Sequence, residues 1–146
     1  MKIKSFENDY AFLSNFYPSP IKIEGTTYPT VEHFYQSMKA VEMSQVMEII
    51  IAETPGKAKR LGAKCKLVKD WDKMKIEVMK MGLKAKFEQH PKLRESLIFT
   101  GYRILEEGNY WRDSFWGIDF ITNEGENHLG ILLMELRETY ASAYDK

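Results

Sequence analysis

The chain has 146 residues, 44% of them apolar and 29% charged, with 21 basic residues against 21 acidic ones and a formal net charge of zero. That is the balance of a globular protein long enough for one domain with a sizeable core, and it argues against a disordered or fibrous chain. No apolar run approaches the roughly 20 residues of a membrane span. Met1-Lys2-Ile3-Lys4 leads into polar sequence rather than an apolar signal core, so the expectation is a cytoplasmic protein with no membrane partner. The single Cys65 excludes an internal disulfide framework and a multi-Cys zinc site. Lys64 and Lys66 flank it and would favour a thiolate, but no catalytic-cysteine signature accompanies it.

Residues 1–28 carry short apolar runs broken by Asn, Ser, Pro and Gly. Alternation over Ile21–Tyr28 with Gly25 in the middle predicts a small β-hairpin. Ahead of it, Leu13–Pro18 reads as a loop that brings Asn15, Phe16 and Tyr17 toward the next element.

That next element is a helix from about Val31, with Thr30 as N-cap after Pro29. Glu32 and Lys39 are seven residues apart and share a face, with Gln36 between them and Tyr35 beside it. A carboxylate, an amide, a phenol and an amine thus converge near a helix start whose first amides are free to bond. The same spacing also fits a solvated polar face behind an apolar stripe of Val31, Phe34 and Met38.

Further on, Ser44 is the expected cap of a helix running to about Glu53. Thr54 and Pro55 then open a short helix that ends near Gly62. In Thr54–Arg60, free amides, Gly56 and the cations Lys57, Lys59 and Arg60 suit a phosphate, although an ordinary capped helix explains the segment equally. The P-loop spacing is absent. A long helix is expected from about Asp70 to Gln89, with Ile76, Met79, Leu83 and Phe87 as its apolar stripe. Between Lys57 and Lys86 there are 11 basic residues and 3 acidic ones, so this stretch carries +8 and the rest of the chain −8. Such a stretch can attract phosphates or nucleic acid, or simply be a solvated lysine-rich face.

Pro91 opens another helix through Leu97, closed by Gly101. Residues 102–126 read as irregular, with one strand at 102–105. Within them, 109–119 holds Tyr110, Trp111, Phe115 and Trp116 with the carboxylates Asp113 and Asp119, the composition of a loop that lines a pocket or packs on a core. Asn127 is expected to cap a last helix or to contact a ligand, and Leu129, Leu132, Leu133 and Leu136 face the core. His33, His90 and His128 have no metal-ligand spacing, so no metal is assigned, and no dinucleotide fingerprint or other cofactor motif is present.

Taken in order, Leu13–Phe16, Tyr28–Gln36 with Lys39, Ala52–Ala58, Leu61-Gly62, Trp71, Leu83, Lys86-Phe87, Gln89-His90, Asp113–Gly117, Gly125, Asn127, Leu129-Gly130 and Leu133–Arg137 resemble the NADAR, or YbiA-like, family over nearly the whole chain. The resemblance implies a mainly α (α+β) fold: a compact, multihelical single domain over 1–146 with a small N-terminal β-hairpin. It implies an N-glycosidase without a cofactor. Its substrates would be ADP-ribose on guanine in nucleic acid, or phosphorylated ribosylamino-pyrimidine intermediates of riboflavin synthesis.

By the same resemblance, Glu32 is the essential glutamate, Lys39 a Schiff-base lysine, and Asp113, Trp116 and Gly117 the Asp-x-x-Trp-Gly element, with Asp113 as the third expected catalytic residue. The expected binding residues are Asn15, Phe16, Tyr35, Gln36, Lys57, Trp116, Gly117 and Asn127. Residues 118–124 are bulkier than the Gly-rich form of some relatives, which bears on Asp119 and on substrate preference. Cleavage of a ribosyl C1–N bond needs a proton for the departing nitrogen and relief of positive charge at C1, which a carboxyl group and a neutral amine can supply. Two other readings share these residues: a module that binds ADP-ribose or a related nucleotide without cleaving it, and a nucleic-acid protein using the basic stretch.

Overall fold

The computed structural model describes residues 1–144. The fold is mainly α with little β-structure, in the order β1 (Lys2–Ile3), a 3-10 helix (Asn8–Leu13), β2 (Ile21–Ile23), β3 (Thr26–Tyr28), α1 (Val31–Met38), α2 (Met43–Ile50), α3 (Pro55–Gly62), α4 (Trp71–Gln89), α5 (Pro91–Phe99), β4 (Ile104–Leu105), β5 (Gly108–Asn109), β6 (Ile118–Asp119) and α6 (His128–Tyr144). The chain divides into two units, one of residues 15–89 and one of residues 1–14 with 90–146.

The 15–89 unit is built around α1. The β2–β3 hairpin feeds it, in antiparallel register with Ile21 opposite Tyr28 and Ile23 opposite Thr26. Glu24 (φ 49°) and Gly25 (φ 86°) are both left-handed, as a two-residue turn matching strand twist requires. Thr30 caps α1 by accepting the His33 amide proton at 3.1 Å. Its hydroxyl also lies 2.8 Å from His33 Nδ1, while His33 Nε2 faces the Ala52 carbonyl at 2.9 Å. A nitrogen facing a carbonyl must donate, so neutral His33 carries its proton on Nε2 and accepts from Thr30 on Nδ1. His33 is therefore a core strut between α1 and the end of α2.

Seven of the eight residues of α1 are buried, with α2, α3 and α4 packed around it. This overturns the solvated-face reading of the helix: Glu32 and Gln36 are only 7% and 4% exposed. Phe34 meets Tyr28 edge to face at 5.1 Å, a favoured aromatic geometry. Ala40, Ile49, Ala52 and Ala58 form the core under α2 and α3.

Thr54 caps α3 by accepting from the Lys57 amide at 3.0 Å, with Pro55 in the first turn as expected. The expected Ser44 cap is incorrect. α2 starts at Met43 behind Glu42, with no side-chain cap, and ends at Ile50 rather than Glu53. Thr54 takes an extended cap conformation before Pro55, and proline disfavours helix in the residue ahead of it, so the chain leaves α2 early. On α4, Met79, Leu83 and Phe87 are buried as expected and Ile76 is half-buried, but Lys86 is buried as completely as Phe87.

In the other unit, β1 pairs in parallel with β4, and β5 with β6. α5 packs on α6, whose Leu129, Leu132, Leu133 and Leu136 are buried. Arg137 donates to Thr100 Oγ1 at 2.9 Å and to the Arg103 carbonyl at 2.8 Å, holding the end of α5 to α6. The expected strand at 102–105 shrinks to Ile104–Leu105, and β5 and β6 were not expected at all: strands of two residues are set by tertiary pairing rather than by alternation.

Candidate active site

Glu32 is the centre of a buried polar cluster in the 15–89 unit. Its backbone N–H donates to the Asn15 carbonyl at 3.2 Å, which ties the 15–17 loop to the first turn of α1. Its carboxylate Oε2 accepts from Gln36 Nε2 at 2.6 Å, one helical turn on. Asn15 is itself buried and donates through Nδ2 to Met79 Sδ at 3.3 Å.

Lys39 follows the last residue of α1 and is half-buried. Burial is the main reason its pKa is lowered, because removing water penalises the ammonium form. Nearby Cys65 and Glu32 oppose that shift, and the positive charges of Lys59 and Lys75 add to it. Gly62 on α3 makes this geometry possible: a Cβ there would overlap Gln36 Oε1 and stand 2.9 Å from Lys39 Cε. Cys65 donates its thiol to the Gly62 carbonyl at 3.2 Å, so the same backbone turn borders the thiol, the amide and the lysine stem.

The other expected binding residues of this unit fall at different depths. Phe16 is 41% exposed, and the Lys59 ammonium lies 6.0 Å from its ring centre. Tyr35 is buried against Trp71, with ring centres 5.3 Å apart. Lys57 stands exposed in the first turn of α3. Lys59, rather than Lys57, is among the charges that act on Lys39. The sequence offers Lys59 as a phosphate-holding cation rather than as a charge acting on Lys39, and Gly62 only as a helix end, because close approach leaves no local pattern.

The remaining candidates organise the 106–127 loop of the other unit. Asp113 Oδ1 accepts from the Phe115 and Trp116 amides at 3.0 and 2.9 Å. Asn109 braces the same turn by donating to the Asp113 carbonyl at 2.8 Å and accepting its amide at 2.9 Å. Trp116 packs edge-on against Phe115, and both rings lie by His128. Gly117 is buried where a Cβ would overlap the Glu107 carbonyl. Asn127, with φ of 54°, accepts from the Glu107 amide at 3.1 Å and donates to the Leu105 carbonyl at 2.9 Å, so its side chain pins the loop, while its own carbonyl accepts from the Ile131 amide at 3.0 Å at the start of α6. Asp119 is buried and paired with Arg112 at 2.6 Å, and that bond holds its carboxyl below the usual range. Tyr110 and Trp111 are exposed rather than lining the loop's interior. Among the described residues, no group of three or more His, Cys, Asp or Glu side chains could hold a metal ion, and no helix is long and apolar enough to cross a membrane.

A helical unit with a buried carboxylate on one helix and a lysine of lowered pKa at that helix's C-cap defines a class of protein, and similarity to known sequences gives that class its family. The NADAR domain profile matches residues 3–140. The chain belongs to the NADAR family. It is 42% identical over 139 residues to N-glycosidase YbiA of Escherichia coli (strain K12), covering 94% of this chain and 86% of that one. It is 41% identical to N-glycosidase Npun_R5314 of Nostoc punctiforme, over 88% of this chain and 85% of that protein. It is 35% identical to the riboflavin biosynthesis protein VVA0006 of Vibrio vulnificus, over 90% of this chain and 36% of that longer protein. The NMR structure of E. coli YbiA superposes with a TM-score of 0.88 at 38% identity, covering all of this chain and 87% of that one.

Proposed function

We propose that this chain is an N-glycosidase that hydrolyses the C1–N bond of a 5-phosphorylated ribosyl group, with Glu32 as general acid and base and Lys39 as nucleophile. The single observation that carries the reading is the buried Glu32–Gln36 pair on the helix whose C-cap is Lys39. Two curated relatives named as N-glycosidases support it.

The departing nitrogen takes a proton from the Glu32 carboxyl as the neutral Lys39 amine bonds to C1. The Glu32 carboxylate takes a proton from the adduct nitrogen and passes it to the ring oxygen as the C1–O4 bond breaks, which opens the ribose and leaves a protonated imine between Lys39 and C1. Water activated by the Glu32 carboxylate adds to that imine, which releases the free sugar and restores the amine. Desolvation of Lys39 suits this step, since the ammonium form has no lone pair to offer.

For the substrate, we favour ADP-ribose carried on guanine in nucleic acid. Exposed Lys57, Lys59, Arg60, Lys64 and Lys66 on and after α3 support an anionic, extended ligand. A phosphorylated ribosylamino-pyrimidine is the second reading, favoured by the riboflavin-biosynthesis relative. Mass spectrometry separates them. Wild-type protein and Glu32→Gln are incubated in parallel with an ADP-ribosylated guanine oligonucleotide and with the ribosylamino-pyrimidine phosphate. Loss of the ADP-ribose mass with wild type alone supports the first substrate. Release of free pyrimidine with wild type alone supports the second. Both substrates surviving intact contradicts the N-glycosidase reading and leaves a binding module.

A further inference from the structure

α2 is too apolar for where it lies. Met43, Val46, Met47, Ile49 and Ile50 make five of its eight residues apolar, and Val41 and Ile51 flank it, yet Ile49 alone is buried. A helix apolar on every side ordinarily belongs in a core. Met43, Met47 and Ile51 recur every four residues and so share one face, and they are 70%, 50% and 73% exposed. Residues 66–67 run beside the start of α2. The Val41 amide donates to the Lys66 carbonyl at 3.0 Å, the Lys66 amide donates to Gln45 Oε1 at 3.2 Å, and Ala40 pairs with Leu67. Val41 and Leu67, each about half exposed, extend the apolar face. Exposed apolar residues scattered singly are ordinary, but five along adjoining segments mark a contact face.

Charge indicates what covers it. Residues 41–53 carry Glu42, Glu48 and Glu53 and no base, whereas residues 63–69 carry Lys64, Lys66 and Lys69 and no acid. All six are exposed, and none forms an ion pair among the described residues. The carboxylates repel a polyanion or an acidic lipid surface, and the lysines repel a polycation. A surface with an acidic strip beside a basic one is complementary to itself under a twofold axis that runs between the strips. We propose that this face is a symmetric dimer interface, in which α2 of each copy lies on residues 63–69 of the other. Methionine suits such a face, since its flexible thioether packs against varied neighbours. The dimer uses none of the groups assigned to catalysis.

Thirteen residues of the two segments are exposed, fewer than the roughly 20–30 a side of a standard interface, so the dimer should be of micromolar rather than nanomolar affinity. Sedimentation velocity of the full chain from about 1 to 500 µM should follow a monomer–dimer equilibrium with a dissociation constant of about 10–100 µM. Met47→Lys sets an unpaired charge in the apolar face and should weaken the dimer at least about tenfold. Glu42→Lys/Glu48→Lys and Lys64→Glu/Lys66→Glu should each weaken their own dimers, by like charges on facing strips, while a 1:1 mixture of the two recovers a dimer holding one copy of each. Circular dichroism checks each fold, and Met43→Lys takes the place of a Met47→Lys that does not fold. Wild type monomeric up to about 500 µM, a dimer undiminished by the folded methionine variant, or charge variants that stay monomeric when mixed would each overturn the proposal.

Discussion

Gln36 Nε2 and Glu32 Oε2 lie 2.6 Å apart on consecutive turns of α1, both out of water. A short bond from an amide to a carboxylate fixes the rotamer of the acid and aims it, which general acid–base chemistry needs more than it needs raw reactivity.

Glu32→Gln keeps the size of the side chain and removes its acidic proton. Turnover should fall by about 10²–10⁴-fold, the usual contribution of a positioned acid or base. Circular dichroism should show unchanged helix content. A variant within a few-fold of wild type would remove Glu32 from the chemistry.

Lys39 has a lowered pKa, chiefly through burial, so its reactive amine becomes available below the ordinary lysine range. Rate should therefore rise with pH through that lowered value. Lys59→Ala removes a neighbouring positive charge, which raises the Lys39 pKa and moves the rising limb to higher pH. A pH–rate series of wild type and Lys59→Ala checks the sign.

Much of this cluster was legible because its causes are local. Thr30 before Val31 marks a cap, and Gln36, four residues after Glu32, falls on the same face of α1, with Lys39 just past the last residue of the helix. The turn Glu24–Gly25 and the Thr54–Pro55 start are local in the same way. What the sequence hid depends on distant partners. Burial of Glu32 and Gln36 comes from α2, α3 and α4 closing around α1. Lys86 looked like one more solvated cation, yet α4 turns it fully inward. The Asn127 amide bonds carbonyl and amide groups some 20 residues earlier in the chain, which no capping rule anticipates.

Gly62→Ala should damage the site more than the fold. The added methyl meets Gln36 Oε1 and crowds the Lys39 stem, so both side chains must move. Overpacking of this kind costs about 1–3 kcal/mol. The expected result is a modest drop in thermal midpoint with a larger loss in kcat than in KM.

Lys86 is fully buried, its ammonium 5.7 Å from the Tyr17 ring centre, and burial pushes its pKa down to about 7. An unfolded chain keeps this proton up to about pH 10, so wild-type stability should rise with pH between about 7 and 10. Lys86→Met should be more stable than wild type by about 1–4 kcal/mol at or below pH 7, with the gain shrinking toward pH 10. Denaturant melts at three pH values read this directly.

Asp119 is held ionised by Arg112, whose own φ of 67° is left-handed. Its folded pKa lies below the unfolded one. The stability it contributes is present above the usual carboxylate pKa and is lost as pH falls through the folded value. Arg112→Ala should lower amide protection at Ile118 and Asp119 at neutral pH and flatten its further fall as pH is lowered, so that wild type and variant converge in acid.

The most direct measurement traps the proposed intermediate. Wild-type protein turning over its substrate is treated with sodium borohydride, and the modified peptide is located by mass spectrometry. A reduced ribosyl adduct on Lys39, reduced or absent in Glu32→Gln, is the predicted result. Base release that proceeds at the wild-type rate in Lys39→Ala, with no adduct on Lys39 in the wild type, would contradict it.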